Sequence, residues 1–196
     1  QYLKAGALEK LGFAAKRLAR DYPQLINCMI TGYSENGPMA NRKAYDLLVQ
    51  AESGLCSITG GPSEPSRVGI SIVDIATGAT AYAAILEALI GQAKSGKGAT
   101  ISVSMFDVMA DWLTAPLLNH ESGNTPKRLG MAHPSIAPYG VFATKDGESI
   151  LISVQSDREW ANLCRTFLGQ PGLSCDPRFA TNVARVKNRT ETDGLI

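Results

Sequence analysis

The alternation of apolar and polar positions divides the chain into helical and strand-like stretches in turn. Leu8, Leu11, Ala15 and Leu18 share one face at helical spacing and predict a helix over 6–20. Tyr22-Pro23 ends it, because proline disfavours α geometry in the residue before it. LINCMIT at 25–31 is short and nearly all apolar, the pattern of a strand buried on both faces. GYSENGP at 32–38 reads as a loop, and a helix is expected over 44–53. Gly60, Gly61, Pro62 and Pro65 make 57–67 a loop, and 68–73 reads as a strand. Asp74 then opens a long helix to about residue 94. Ile75, Tyr82, Ile85, Leu86, Leu89 and Ile90 leave little of its circumference polar, so it is expected at the buried centre of the fold.

The second half is shorter in its units. A strand is predicted over 100–104 and a helix over 106–118, followed by a polar, turn-rich connection at 119–128. PSIAPY at 134–139 is extended or turn-like, and 141–143, a KDGE turn and 149–154 read as a hairpin. Asp157 is expected to cap a helix through Phe167, and a last helix falls within 176–193. Helix and strand alternate to about 118, then give way to a hairpin and helices. The fold class is therefore α/β: a larger portion over 1–125 joined to a linker and smaller α+β portion over 126–196, with the boundary near 120–135.

Composition narrows the function classes. Hydrophobic residues make up 44% and charged residues 19%, as in ordinary soluble globular domains. A net charge of +1 offers no basic surplus for nucleic acid. No apolar run approaches the roughly 20 residues of a bilayer span, so no membrane association is expected. Cys28, Cys56, Cys164 and Cys175 show no CxxC pairing and read as reduced thiols of a cytoplasmic protein. Because it opens on Gln1 and stops inside a helical pattern, the chain reads as a fragment of a longer protein.

Three stretches invite a chemical reading. GQAKSGKG at 91–98 nearly spells a phosphate-binding loop, but Gly98 stands where the hydroxyl for magnesium belongs and a helix precedes it, not a strand. A glycine helix stop is the better reading. His120 and His133 are the only histidines and match no zinc spacing, so no metal is expected. Asp74 at a helix start is by default an N-cap. The same place suits a nucleophile, because backbone N–H groups and the helix dipole favour a carboxylate and could steady charge on a reacting carbonyl. Gly78 one turn on, with Ala76 and Ala79, leaves room for a substrate.

The order of several segments resembles one family. GALEKLGF at 6–13, ITGYSENGP at 30–38, YDLLVQAESGL at 45–55 and GPSEPSRVGISIVDIATG at 61–78 are similar to class III coenzyme A transferases, the group of formyl-CoA transferase, carnitine-CoA transferase and α-methylacyl-CoA racemase. SGKGATISVSMFDVM at 95–109, HPSIAPYGVFATKDG at 133–147 and DPRFATNVARVKNR at 176–189 extend the match to nearly the whole chain.

The resemblance implies a partial Rossmann-like large domain and part of a small domain, in two subunits entwined as interlocked rings. It implies a homodimeric enzyme with no permanently bound cofactor, taking an acyl-CoA thioester as substrate and a carboxylic acid as acceptor. Asp74 falls on the family's nucleophile, Lys10 and Lys43 on CoA-contacting positions, and Tyr45 beside the reacting centre. The family's opening NFRPG is reduced to YLKAG at 2–6, and GMAHPSIAPYG at 130–140 replaces the glycine run of formyl-CoA transferase. That replacement argues against formyl and oxalyl substrates and toward short dicarboxylic acyl groups. Two alternatives stand beside transfer. One is a 2-methylacyl-CoA racemase, although Tyr45-Asp46 occupies the place of a His–Asp dipeptide there, and a tyrosine of pKa about 10 is a poor base. The other is a non-catalytic module that folds without binding CoA.

Overall fold

The computed structural model describes residues 6–196; of the YLKAG stretch only Gly6 lies within them. The chain divides into two compact units, one of residues 1–59 and 65–126, the other of 60–64 and 127–196.

The first unit contains α1 (Ala7–Lys10), α2 (Ala15–Asp21), β1 (Asn27–Thr31), α3 (Asp46–Glu52), α4 (Leu55–Ile58), α5 (Ile72–Ser95), β2 (Thr100–Ser104), α6 (Met105–Trp112) and α7 (Thr114–Glu121). The strands pair in parallel, Asn27 with Thr100 through Thr31 with Ser104. Val49, Val73, Ala76, Ala81, Val103, Val108 and Met109 form the core between α3, α5, α6 and this sheet.

Several expected elements are altered, each for a local reason. The single helix expected over 6–20 is broken by Gly12 at φ +86°, where Phe13 N–H returns to Leu8 O and Gly12 N–H to Glu9 O. This pair of hydrogen bonds around a left-handed glycine is a helix C-terminal cap. The helix expected over 106–118 breaks at Leu113, because Pro116 has no N–H to give Trp112 and its ring crowds that carbonyl. No strand forms over 68–73: Val68 N–H donates to the Gln50 side chain, Val73 N–H donates to Asp46, and α5 begins at Ile72. The strand at 27–31 is half-buried along its whole length, not buried on both faces, and β2 is its one strand partner among the described residues.

The long helix α5 departs furthest from expectation. Val73, Ala76, Thr77 and Ala81 are its buried residues, whereas Ile75, Tyr82, Leu86, Leu89 and Ile90 are 41–65% exposed. It is not the buried centre of the unit, because only its N-terminal part lies against the α3–α6 core. At 24 residues it is also long and apolar enough to cross a bilayer, which no run in the sequence was expected to be. One such helix is weak ground for a membrane span. It ends at Gly96, φ +69°, whose N–H reaches Gln92 O, so the glycine in Ser95-Gly96-Lys97-Gly98 stops the helix as expected.

The second unit contains an antiparallel hairpin, β3 (Tyr139–Ala143) and β4 (Ser149–Ser153), then α8 (Asp157–Thr166), a 3-10 turn at Pro171–Cys175, α9 (Asn182–Lys187) and α10 (Arg189–Gly194). Ala137-Pro138 is cis. Its core is Ile152, Val154, Trp160, Cys164 and Phe179. Arg185 is wholly buried among them; its guanidinium donates to Ala137 O (2.7 Å), Phe179 O (2.9 Å) and Asp157 Oδ1 (2.8 Å) and lies 5.2 Å from the Trp160 ring centroid. Asp157 is therefore the partner of Arg185 and not the cap of α8. Ser156 caps it, in a reciprocal box with Glu159.

Candidate active site

The first turn of α5 starts with three backbone N–H groups that no helical carbonyl can meet. Ser71, the residue in the N-cap position, gives no side-chain bond. Ile72 N–H goes to Ile70 O (2.8 Å), and Asp46 Oδ2 accepts from Val73 N–H (2.8 Å) and Asp74 N–H (3.3 Å). The cap is thus a carboxylate from the first turn of another helix. Asp46 Oδ1 is held in turn by Gln50 Nε2 (2.6 Å), and Gln50 Oε1 accepts from Val68 N–H (2.9 Å). Gln50 is completely buried.

Asp74 is the third residue of α5 and is exposed. It does not cap its own helix, and among the described residues its carboxylate has no hydrogen bond or ion pair. Its backbone is fixed by the buried neighbours Val73 and Ala76, and by Thr77, whose hydroxyl donates to Val73 O (2.7 Å). Gly78, one turn on, faces space in which an added Cβ would meet nothing within 4 Å. One expectation is corrected: the Val73 and Asp74 N–H groups are taken by Asp46, so they are not open to receive charge from a reacting carbonyl.

Tyr45 is half-exposed and precedes Asp46, which brings it to the start of α5 through the chain itself. Lys43 is exposed in the loop before α3. That loop is seated by Gly32, where a Cβ would come within 2.0 Å of Ala44 Cβ. Any larger residue there would push α3, and Asp46 with it, away from β1. Arg42 also ties the loop to α3 through Glu52 (3.0 Å). Lys10 is exposed at the end of α1, which is not among the elements packed extensively on α3 or α5. Chain continuity places Tyr45 beside Asp46 and so near the start of α5, whereas no contact among the described residues links Lys43 or Lys10 to Asp74.

Asp46 and Gln50 were missed from sequence. Their signal was an Asp and a Gln four apart on a helix, a pair that bonds readily but is common on solvated faces.

No other described cluster matches this one. No three metal-ligating side chains gather among the described residues. All four cysteines are free, and burial pushes the Cys164 and Cys28 thiols up. In the second unit a cavity of about 360 Å³ is lined by Met131, Tyr139, Phe142 and Asp193 among others. Asp193 Oδ1 is buried there without a described partner, and burial holds its carboxyl above the ordinary value, with Arg189 opposing.

Fold and site together define an α/β protein that presents an exposed carboxylate in the first turn of a helix whose cap comes from a neighbouring helix. The sequence profile described as CoA-transferase family III matches residues 1–196, and the chain belongs to that family. It is 40% identical to a succinate–glutarate CoA-transferase of Agrobacterium fabrum, over 98% of this chain and 48% of the relative. It is 38% identical to an acetyl-CoA:oxalate CoA-transferase of Acetobacter aceti, over 94% and 48%. A crystal structure of a CAIB/BAIF family protein from Brucella suis superposes with a TM-score of 0.78 at 42% identity, covering 98% of this chain and 51% of that one. The chain spans about half the length of the curated relatives it matches.

Proposed function

We propose that this chain carries the acyl-accepting carboxylate of an enzyme that transfers coenzyme A from an acyl-CoA to a carboxylic acid, with Asp74 as nucleophile. The observation that carries this is the remote cap. With Asp46 meeting the first-turn donors, Asp74 has no structural duty and stands exposed at the positive end of the α5 dipole.

An Asp74 oxygen attacks the thioester carbonyl, the C–S bond breaks, and CoA thiolate leaves a mixed anhydride. The thiolate attacks the aspartyl carbon, releasing the donor carboxylate and forming an aspartyl-CoA thioester. The acceptor carboxylate then displaces the thiolate to form a second anhydride. Thiolate attack on the acceptor's acyl carbon gives the new acyl-CoA and regenerates Asp74. One difficult exchange is split into easier ones. Lys10 and Lys43 meet CoA phosphates as ammonium groups, and Tyr45 borders the reacting carbon. The named relatives support short dicarboxylic acids as donor and acceptor. The enzyme works as a homodimer in the cytoplasm; the exposed apolar residues of α5 and four free thiols support this.

In the intact enzyme, Asp74→Asn should lower turnover about a thousandfold or more while leaving stability nearly unchanged, because the cap lies elsewhere. Acyl-CoA should add mass to the peptide holding Asp74, and hydroxylamine should release it. Asp107, third in α6 and capped by Ser104, is the control. Label on Asp107, or normal turnover in Asp74→Asn, overturns the assignment. Deuterium entering the α-carbon of a 2-methylacyl-CoA would instead favour the racemase.

A further inference from the structure

Asp46 and Gln50 lie one turn apart on α3, so their side chains share a face. Their bonds run one way. Val68 N–H can only donate, so the oxygen of the Gln50 amide must face it and the NH₂ must face Asp46. Asp46 accepts on both oxygens, from that amide and from the Val73 and Asp74 N–H groups. Residues 68–74 are therefore held near both ends by two side chains of one helix. That helix is seated by the buried Val49 and by the close approach of Gly32 to Ala44.

We propose that Asp46 and Gln50 are a positioning pair that fixes the first turn of α5, and with it the Asp74 carboxylate, for attack on the acyl-CoA. This rests on the reading of Asp74 as nucleophile. The direction of the bonds makes the pair sensitive to changes that hardly alter volume. Asp46→Asn turns an amide NH₂ toward the Gln50 NH₂. Gln50→Glu sets two carboxylate oxygens against each other. The double exchange Asp46→Asn with Gln50→Glu restores every bond and reverses donor and acceptor in only one: the new amide at 46 donates to the new carboxylate at 50, while Val68, Val73 and Asp74 N–H donate as before.

The test is kinetic, in the intact enzyme well below its melting temperature. Each single change should lower kcat about 100-fold, the scale of an ångström's misplacement, with the KM for acyl-CoA within about threefold. The double exchange should return kcat to within about tenfold of the starting enzyme. A merely stabilising pair would move the melting temperature and leave kcat alone. Asp46→Asn with near-normal kcat, or a double exchange no better than the worse single, overturns the proposal. Should a single variant be insoluble, the double decides: folded and active supports the pair, unfolded or inactive overturns it. Amide exchange at Val73 and Asp74, fast in the singles and slow in the double, reads the pair independently of chemistry. If Asp74→Asn turns over normally, the nucleophile assignment falls, and the pair then stands or falls on those exchange rates.

Discussion

Helices α5 and α8 both begin behind a serine, yet the two serines have opposite worth. Ser156 accepts from Glu159 N–H while Glu159 reaches back to Gln155 and Ser156 N–H, so α8 closes its own start within five residues. Ser71 does none of this, and α5 takes its acceptor from a residue 28 positions away. A local cap makes a helix start independent of its surroundings. A remote cap binds the start to another element and frees the first-turn acid, here Asp74, from structural duty. The first-turn acids diverge in the same way: Asp157 of α8 is committed to the buried Arg185, whereas Asp74 is committed to nothing described.

The contrast can be tested in stability, from large effects to small, by thermal or denaturant unfolding. Arg185→Met should cost about 3 kcal/mol, since it strands the Ala137 and Phe179 carbonyls and removes the partner of Asp157. Asp46→Ala should cost about 2 kcal/mol, near the top of the range for caps, because one carboxylate serves two N–H groups and Gln50. Ser156→Ala should cost about 1 kcal/mol. Ser71→Ala should stay within about 0.5 kcal/mol, and a loss equal to that of Ser156→Ala would erase the distinction between the two starts.

The smallest effect concerns Asp193. Burial raises its carboxyl above the ordinary 3.8, so the fold holds the proton more tightly than the unfolded chain does. Its contribution is fully present below pH 3.8 and is lost as pH rises through the higher folded value. Asp193→Asn should remove that loss and raise the melting temperature slightly at neutral pH, with no gain in acid. A fall at neutral pH would show that the attraction of Arg189 outweighs burial.

The sequence was informative where structure is local. The strands at 27–31 and 100–104, the hairpin and the glycine stop after α5 follow from short-range pattern and turn chemistry. The break at Gly12 was equally local and went unrecognised, because the apolar spacing runs through it. The burial of α5 was misjudged for another reason: an apolar circumference shows what a helix could bury, not what lies beside it. At the site, the prominence of Asp74 was visible in the pattern. Its release from capping was not, since that depends on α3 reaching across to α5, a relation that no spacing within 68–78 encodes.

The parallel pairing of β1 with β2 also sets an order of events. Asn27 meets Thr100 only after the chain has folded back across all of α3, α4 and α5, and the closure of so long a loop must precede the contacts that reward it. The β3–β4 hairpin needs only the turn between Ala143 and Ser149. During refolding, amides of β3 and β4 should therefore gain exchange protection before those of β1 and β2. The unit that presents Asp74 would then be the later of the two to assemble.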